Sequence, residues 1–231
     1  MQVLDEKKFI VPSALGICCL CSAFFVFLAY LVQTGETPEW DKTLLLMFRN
    51  SEDLSRMGGP GWLGQVMQDF SAIGGTAVQT LIEIGVVVYF ILARRYRSAG
   101  FMLAVIISGL ALSMALKAGF NRPRPDLVVH HSYVFTKSFP SGHSMMSAIT
   151  FLTCGVLFAS SQSERRMQGF AFISAVFLTV LVGVSRVYLG VHWPSDVLAG
   201  WSLGAAWVAL WVFIAVIFFK RKDSRPIDTK R

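Results

Sequence analysis

The chain has 231 residues, of which 54% are hydrophobic and 15% charged, and carries a formal net charge of +7. That is too apolar for an ordinary soluble domain and too short for more than one or two domains, so a membrane protein is the first reading. The basic excess includes no run of Lys and Arg interleaved with aromatics, which argues against nucleic acid, and in so apolar a chain it fits cytoplasmic loops and lipid phosphates instead.

A helix needs about 20 largely apolar residues to cross the hydrocarbon core. Six stretches qualify, approximately 9–32, 77–93, 98–116, 143–160, 169–188 and 194–219, and predict an all-α, six-helix membrane bundle forming one domain over 1–231. The first follows Lys7 and Lys8 as a signal peptide would, but its apolar run is long and no small-x-small cleavage site follows, so it reads as a retained span. The connection 33–76 carries Trp40, Leu44, Leu45 and Phe48, then Trp62, Val66, Met67 and Phe70, at helical spacing on either side of Gly58, Gly59 and Pro60. Two short helices in the membrane interface and a loop packed over the bundle both satisfy that pattern. Cys18, Cys19, Cys21 and Cys154 lie within apolar runs and read as small buried hydrophobes, without metal-ligand spacing or a disulfide framework.

Orientation follows from the basic residues. Lys7 and Lys8, Arg94, Arg95 and Arg97, Arg165 and Arg166, and the tail Lys220, Arg221, Lys222, Arg225, Lys230 and Arg231 share one set of ends, thirteen of the 21 Lys and Arg. The positive-inside rule puts both termini in the cytoplasm. Three polar segments then reach the outer face: the end of span three with Lys117 and NRPRPD (121–126), PSGH (140–143) opening span four, and SRVYLGVHWPSD (185–196) between spans five and six.

Their chemistry converges on an anion. Lys117 supplies a compact charge, and Arg124 and Arg186 supply planar forks suited to phosphate oxygens. Ser141 and Gly142 precede a helix start, where free N–H groups and the helix dipole favour negative charge. Of His143 and His192, one can attack phosphorus while the other protonates the leaving oxygen. Asp196, four residues after His192, can accept a hydrogen bond from one ring nitrogen and leave the other free.

In this order and spacing, KAGFNRPRP (117–125), PSGH and SRVYLGVHWPSD resemble the three motifs of the type 2 phosphatidic acid phosphatase superfamily. The resemblance implies a metal-independent phosphatase working through a phosphohistidine and needing no cofactor. It makes His192 the nucleophile, Asp196 its orienting partner and His143 the acid that later activates water. Lys117, Arg124, Arg186, Ser141 and Gly142 would hold the phosphate oxygens. Kinship to vanadate-binding haloperoxidases implies inhibition by vanadate. The implied substrate is a membrane lipid phosphate, with undecaprenyl pyrophosphate first and phosphatidylglycerophosphate or phosphatidic acid beside it. Lipid A dephosphorylation and lipid-to-lipid phosphoryl transfer are the alternatives, and a non-enzymatic lipid-phosphate binder is more remote. The expected setting is a bacterial inner membrane, with the site extracytoplasmic and no obligate protein partner.

Other polar residues stay open. Arg122 reads either as a supporting phosphate contact or as part of a solvated loop. His130 and His131 read as solvated loop, and Asp126 as a loop cap or an arginine's partner. Thr76, Gln79 and Glu83 share one helix face, which borders the headgroup cavity or else makes a structural hydrogen bond. Gly200 and Gly204 form a small-residue stripe expected to serve packing.

Overall fold

A computed structural model describes residues 2–35, 39–132 and 136–218, without the side chains of 2–9. The described residues contain eight helices: α1 (Gln2–Gln33), α2 (Glu39–Leu46), α3 (Gly61–Ile73), α4 (Thr76–Leu92), α5 (Tyr96–Gly119), α6 (Gly142–Ser160), α7 (Arg165–Tyr188) and α8 (Pro194–Phe218). The only β pairing among them is an isolated antiparallel bridge between Arg49 and Met57.

Five helices are long and apolar enough to cross a membrane, within Ile10–Gln33 and over α5, α6, α7 and α8. The expected second span differs. At 17 residues α4 is short, and it meets that criterion only together with α3, from which it is bent by 51°. Leu20, Leu81, Leu92, Ile107 and Ile173 stand exposed on α1, α4, α5 and α7. Apolar surface on that scale would drive aggregation in water, whereas lipid is its natural neighbour. The protein is an integral membrane protein. The tail cations used for orientation, and the side chains of Lys7 and Lys8, lie outside the described residues.

The core sits between α4, α5, α6 and α8, where Phe90, Met102, Val105, Met145 and Ile149 are buried together. α6 and α8 approach each other closely. A β-carbon at Gly200 would fall 2.7 Å from the Ser141 carbonyl oxygen, and one at Gly204 would fall 2.6 Å from the Ala148 β-carbon. The small-residue stripe is therefore packing, as expected, and it brings the helix bearing Asp196 against the start of the helix bearing His143. Along its other side α8 packs with α1, and α7 packs along α6.

The connection 33–76 is helical at both periodic stretches and packs on the bundle. Its two periodic stretches form α2 and α3, and these pack on the bundle, α2 against the start of α8 and α3 against α7. Leu45 is fully buried, while Trp40, Leu44 and Trp62 remain exposed. The cysteines correct an expectation: all four are free, but Cys19 is exposed and the other three are only half-buried.

Candidate active site

The last polar segment is a helix stop, a histidine and a helix start. Gly190 (φ +75°) takes the left-handed conformation that ends α7, its N–H donating to the Val187 carbonyl and the Val191 N–H to that of Arg186. A β-carbon there would lie 2.5 Å from the Arg49 guanidinium, so a larger residue is excluded by space as well as by conformation. Pro194 opens α8, the position where proline's missing N–H costs least. Asp196, in the first turn, reaches back to accept the Trp193 N–H at 3.0 Å, as the acid of a capping box does. His192 is held between two helix ends, and its residue is 1% exposed.

The hydrogen bonds assign the tautomer of His192. A guanidinium has no lone pair to offer, so Arg124 Nη1, 3.2 Å from His192 Nε2, must donate, which makes Nε2 the acceptor and puts the proton on Nδ1. The Nδ1 side faces Asp196 Oδ2 at 3.5 Å and Ser138 Oγ at 3.4 Å. Ser138 donates its hydroxyl to the same carboxylate oxygen. Burial pulls the His192 pKa down to about 4, opposed by Asp196 and reinforced by the cations Arg124 and Arg186. The ring is therefore neutral near pH 7, with its Nε2 lone pair turned toward the cations.

Lys117, from the last turn of α5, donates to Thr136 Oγ1 at 2.8 Å. Arg124 is fixed by the Thr136 carbonyl (2.9 Å) and the Val191 carbonyl (2.5 Å), and burial lowers its pKa from the usual guanidinium value. Arg186, 2% exposed, donates from Nη1 to Ser71 Oγ, while its Nε has no partner among the described residues. Gly142 allows the Lys117 ammonium to approach the start of α6, since a β-carbon there would lie 3.3 Å from Nζ.

Ser141 departs from expectation. It is fully buried and caps α6, accepting from the Ser144 N–H at 3.4 Å and the Ser144 hydroxyl at 2.9 Å, while its own N–H donates to the Asp196 carbonyl. Its hydroxyl faces the helix, and the cavity wall at this point is Gly142 and His143. The N–H groups of these two residues are the helix donors left for an anion.

Lys117, Arg124, Gly142, His143, Arg186 and His192 line one cavity of about 370 Å³, whose remaining walls include Thr76, Gln79, Leu110, Ser113, Met114 and Met146. A second cavity of about 630 Å³ shares His143 and Arg186 with it and is otherwise bounded by Gln68, Ser71, His130, His131 and Ser132 among others. The two loop histidines thus border a vestibule to the site. His130 is hydrogen-bonded to the Pro125 carbonyl at 2.6 Å and His131 to the Ser55 carbonyl at 3.3 Å. The exposed Asp126 has no side-chain partner among the described residues.

Two open readings are resolved. Glu83 makes a structural hydrogen bond, accepting from Thr150 Oγ1 at 2.6 Å, and of its face only Thr76 and Gln79 reach the cavity. Arg122 is neither a phosphate contact nor solvated. Its side chain is 5% exposed, both terminal nitrogens are engaged by Asp41, Ser195 and Asp196, and its guanidinium lies 5.6 Å from the centre of the Trp193 ring. Reading the sequence missed Asp41. The signal available was an acid one turn before Leu45, on the face of α2 that should be apolar.

The arrangement can hold a tetrahedral anion against three cations and two backbone donors, with one imidazole presenting a lone pair and a second on the same wall. Residues 98–221, which carry all of these groups, match the model of the PAP2 superfamily. The chain is 33% identical over 212 residues to a phosphatidylglycerophosphatase B of Bacillus subtilis, covering 87% of this chain and 94% of that protein. It is 28% identical over 186 residues to an undecaprenyl-diphosphatase of Sulfolobus acidocaldarius, covering 72% and 85% respectively. Among solved structures it resembles a transmembrane PAP2-type phosphatidylglycerolphosphate phosphatase from Bacillus subtilis, with a TM-score of 0.71, 28% identity, and coverage of 90% of this chain and 98% of that one. With the match spanning more than half of the sequence and a relative aligned over nearly its whole length, the chain belongs to the PAP2 superfamily.

Proposed function

We propose that the protein is a lipid phosphatase that hydrolyses the phosphate monoester or diphosphate of a membrane lipid, forming a phosphohistidine on His192 without a metal or other cofactor. The observation that carries this reading is the lone pair of His192 Nε2, held beside Arg124 in a cavity that His143 also lines. Nε2 attacks phosphorus and the bond to the leaving oxygen breaks, with His143 supplying that oxygen's proton. Water then attacks the phosphohistidine, gives its proton to His143, and releases inorganic phosphate and neutral His192. Asp196 stabilises the Nδ1–H side as positive charge develops on the ring. Lys117, Arg124, Arg186 and the Gly142 and His143 N–H groups stabilise the equatorial oxygens, where phosphoryl transfer concentrates its charge. A cradle with three cations attracts phosphate and repels a divalent metal ion.

The cavity walls support a lipid substrate. Leu110 and Met114 line the cavity and are also exposed on α5, so an acyl or prenyl chain can leave the site sideways into the bilayer. The polar vestibule on the other side of His143 supplies water. Helix polarity supports an extracytoplasmic site, since Arg94, Arg95, Arg97, Arg165 and Arg166 lie at the helix ends opposite to Lys117, His143, Arg186 and Asp196. In that orientation α2 and α3 lie at the outer membrane interface. The described helices pack as one bundle, consistent with a single domain. Undecaprenyl pyrophosphate and phosphatidylglycerophosphate are the first substrates to try, phosphatidic acid the next, and the setting is a bacterial inner membrane.

The test is phosphate release by detergent-purified protein in the presence of chelator, across lipid mono- and diphosphates and one soluble sugar phosphate. Wild type should turn over a lipid and His192→Ala should not. Acid-labile, alkali-stable label from the substrate phosphate should be trapped on wild type during turnover and be absent from His192→Ala. Equal turnover by His192→Ala, or loss of activity with chelator, would overturn the mechanism.

A further inference from the structure

We propose that Arg122 and Asp41 form a positioning layer behind the nucleophile, fixing Asp196 and through it His192. Catalysis then depends on a residue of the first external connection, outside the region that matches the family. The inference rests on His192 being the nucleophile.

The geometry is a closed chain of contacts. Arg122 Nη1 lies 2.6 Å from Asp196 Oδ1 and 2.6 Å from Ser195 Oγ, and Arg122 Nη2 lies 2.8 Å from Asp41 Oδ2. Asp41 Oδ1 accepts the Ser195 N–H at 2.8 Å, supplying from another helix a cap for one of the free donors that open α8. Asp41 and Asp196 are fully buried. Trp193 covers the guanidinium and donates from its indole N–H to the Pro123 carbonyl at 3.2 Å, fastening the loop that carries Arg122.

This arrangement determines what Asp196 can do. Ser138, the Trp193 N–H and His192 all approach Oδ2, and only Arg122 holds Oδ1 among the bonds described. Without Arg122 the carboxylate loses its second anchor and can turn away from the imidazole. Two buried carboxylates would also then face Ser195 with no cation between them, an arrangement that low-dielectric surroundings strongly disfavour. The Arg122 side chain contacts neither the catalytic cavity nor the phosphate donors, and its shortest path to the reacting groups runs through Asp196 to His192. Asp41 acts one contact further out, by orienting the guanidinium.

The experiment compares full-length wild type, His192→Ala, Arg122→Gln, Asp41→Asn and the double variant Arg122→Gln/Asp41→Asn in detergent, reading kcat, KM and melting temperature. The substrate is the lipid phosphate that wild type turns over best. Arg122→Gln should lower kcat about ten- to hundredfold, the range seen when outer partners of a catalytic group are lost, while KM changes by less than about threefold. The double variant removes one charge of each sign and so restores the cluster's net charge. It should recover kcat by about threefold or more over Arg122→Gln, a coupling that independent sites do not show. The inference is overturned if folded Arg122→Gln keeps the wild-type kcat, if its loss lies in KM, or if the double variant recovers nothing. Should Arg122→Gln fail to fold, Asp41→Asn and the double variant decide: reduced kcat at unchanged KM in both supports the layer, and wild-type kcat in both overturns it. An active His192→Ala would instead overturn the nucleophile, whereas an inactive His192→Ala beside a fully active Arg122→Gln overturns the positioning layer alone.

Discussion

Arg124 Nη1 stands 3.2 Å from His192 Nε2, so the lone pair proposed as the nucleophile is already hydrogen-bonded to one of the cations proposed to bind phosphate. The same cation thus adds to the burial that keeps the ring deprotonated, and in the proposed mechanism also receives the anion that the ring attacks.

That relationship sets a pH dependence. Burial first, and then Arg124 and Arg186, bring the His192 pKa down to about 4, so the neutral nucleophile persists well below pH 6.5 and kcat/KM should fall only as pH approaches 4. Arg124→Gln removes a contribution that lowers this pKa, so its acid limb should move to higher pH, in addition to the rate lost with the phosphate contact. The same shift bears on stability. A histidine with a lowered folded pKa contributes fully above about pH 6.5, and the contribution is lost as pH falls toward 4, because the unfolded ring takes up the proton first. pH profiles of kcat/KM and of melting temperature check both expectations.

Glu83→Gln should leave kcat and KM near wild type, because glutamine keeps an acceptor for the Thr150 hydroxyl. Glu83→Leu leaves that hydroxyl without its partner between α4 and α6 and should cost on the order of 1 kcal/mol of stability. Thermal inactivation in detergent, read beside steady-state kinetics, separates the two.

Gly200→Ala introduces a β-carbon 2.7 Å from the Ser141 carbonyl, which is backbone at the start of α6 and has no rotamer to yield. The helix must shift and carry His143 away from His192. Misplacement of reacting groups by about 1 Å costs on the order of a hundredfold in rate. Gly200→Ala should therefore lose kcat out of proportion to its fall in melting temperature.

Met114→Trp fills the sideways opening on α5 without touching the phosphate donors. Activity on a long-chain lipid phosphate should drop about tenfold or more, comparable to the loss of one good pocket contact, while a short-chain soluble analogue is turned over nearly as before. Equal losses on both substrates would argue against a lateral path for the chain.

The legible part of the protein was the part written in contiguous segments. Lys117 and Arg124, Gly142 and His143, and Arg186, His192 and Asp196 each fall at the end of an apolar run, so span counting alone delivers them to one face. The supporting layer was not legible, since Asp41 meets Ser195 only through a contact 154 residues apart in the chain. Arg122 was ambiguous because Arg122-Pro123 repeats Arg124-Pro125: spacing from Lys117 favours Arg124 for the motif but does not show what the Arg122 guanidinium meets. Ser141 is placed among the phosphate donors by the free N–H groups expected at a helix start, but its own N–H is taken by the Asp196 carbonyl and its hydroxyl by the first turn of α6, contacts that the sequence does not show. The bend between α3 and α4 follows Gly74 and Gly75, but that pair alone does not distinguish a break in a span from the end of a loop.

The pairing of α1 with α8 has a consequence for biogenesis. Helices enter the membrane in the order they are synthesised, and most of the surface that α1 packs against is supplied by α8, the last to be inserted, with Phe120 and Phe139 supplying the rest. Until then α1 keeps lipid along most of that side, while α5, α6 and α7 can already associate. Release of α8 into the bilayer is thus the step that draws α1 in and delivers Asp196 to Arg122 and His192. A nascent chain halted before that step would carry His143 in place but lack the Asp196 contact that orients His192.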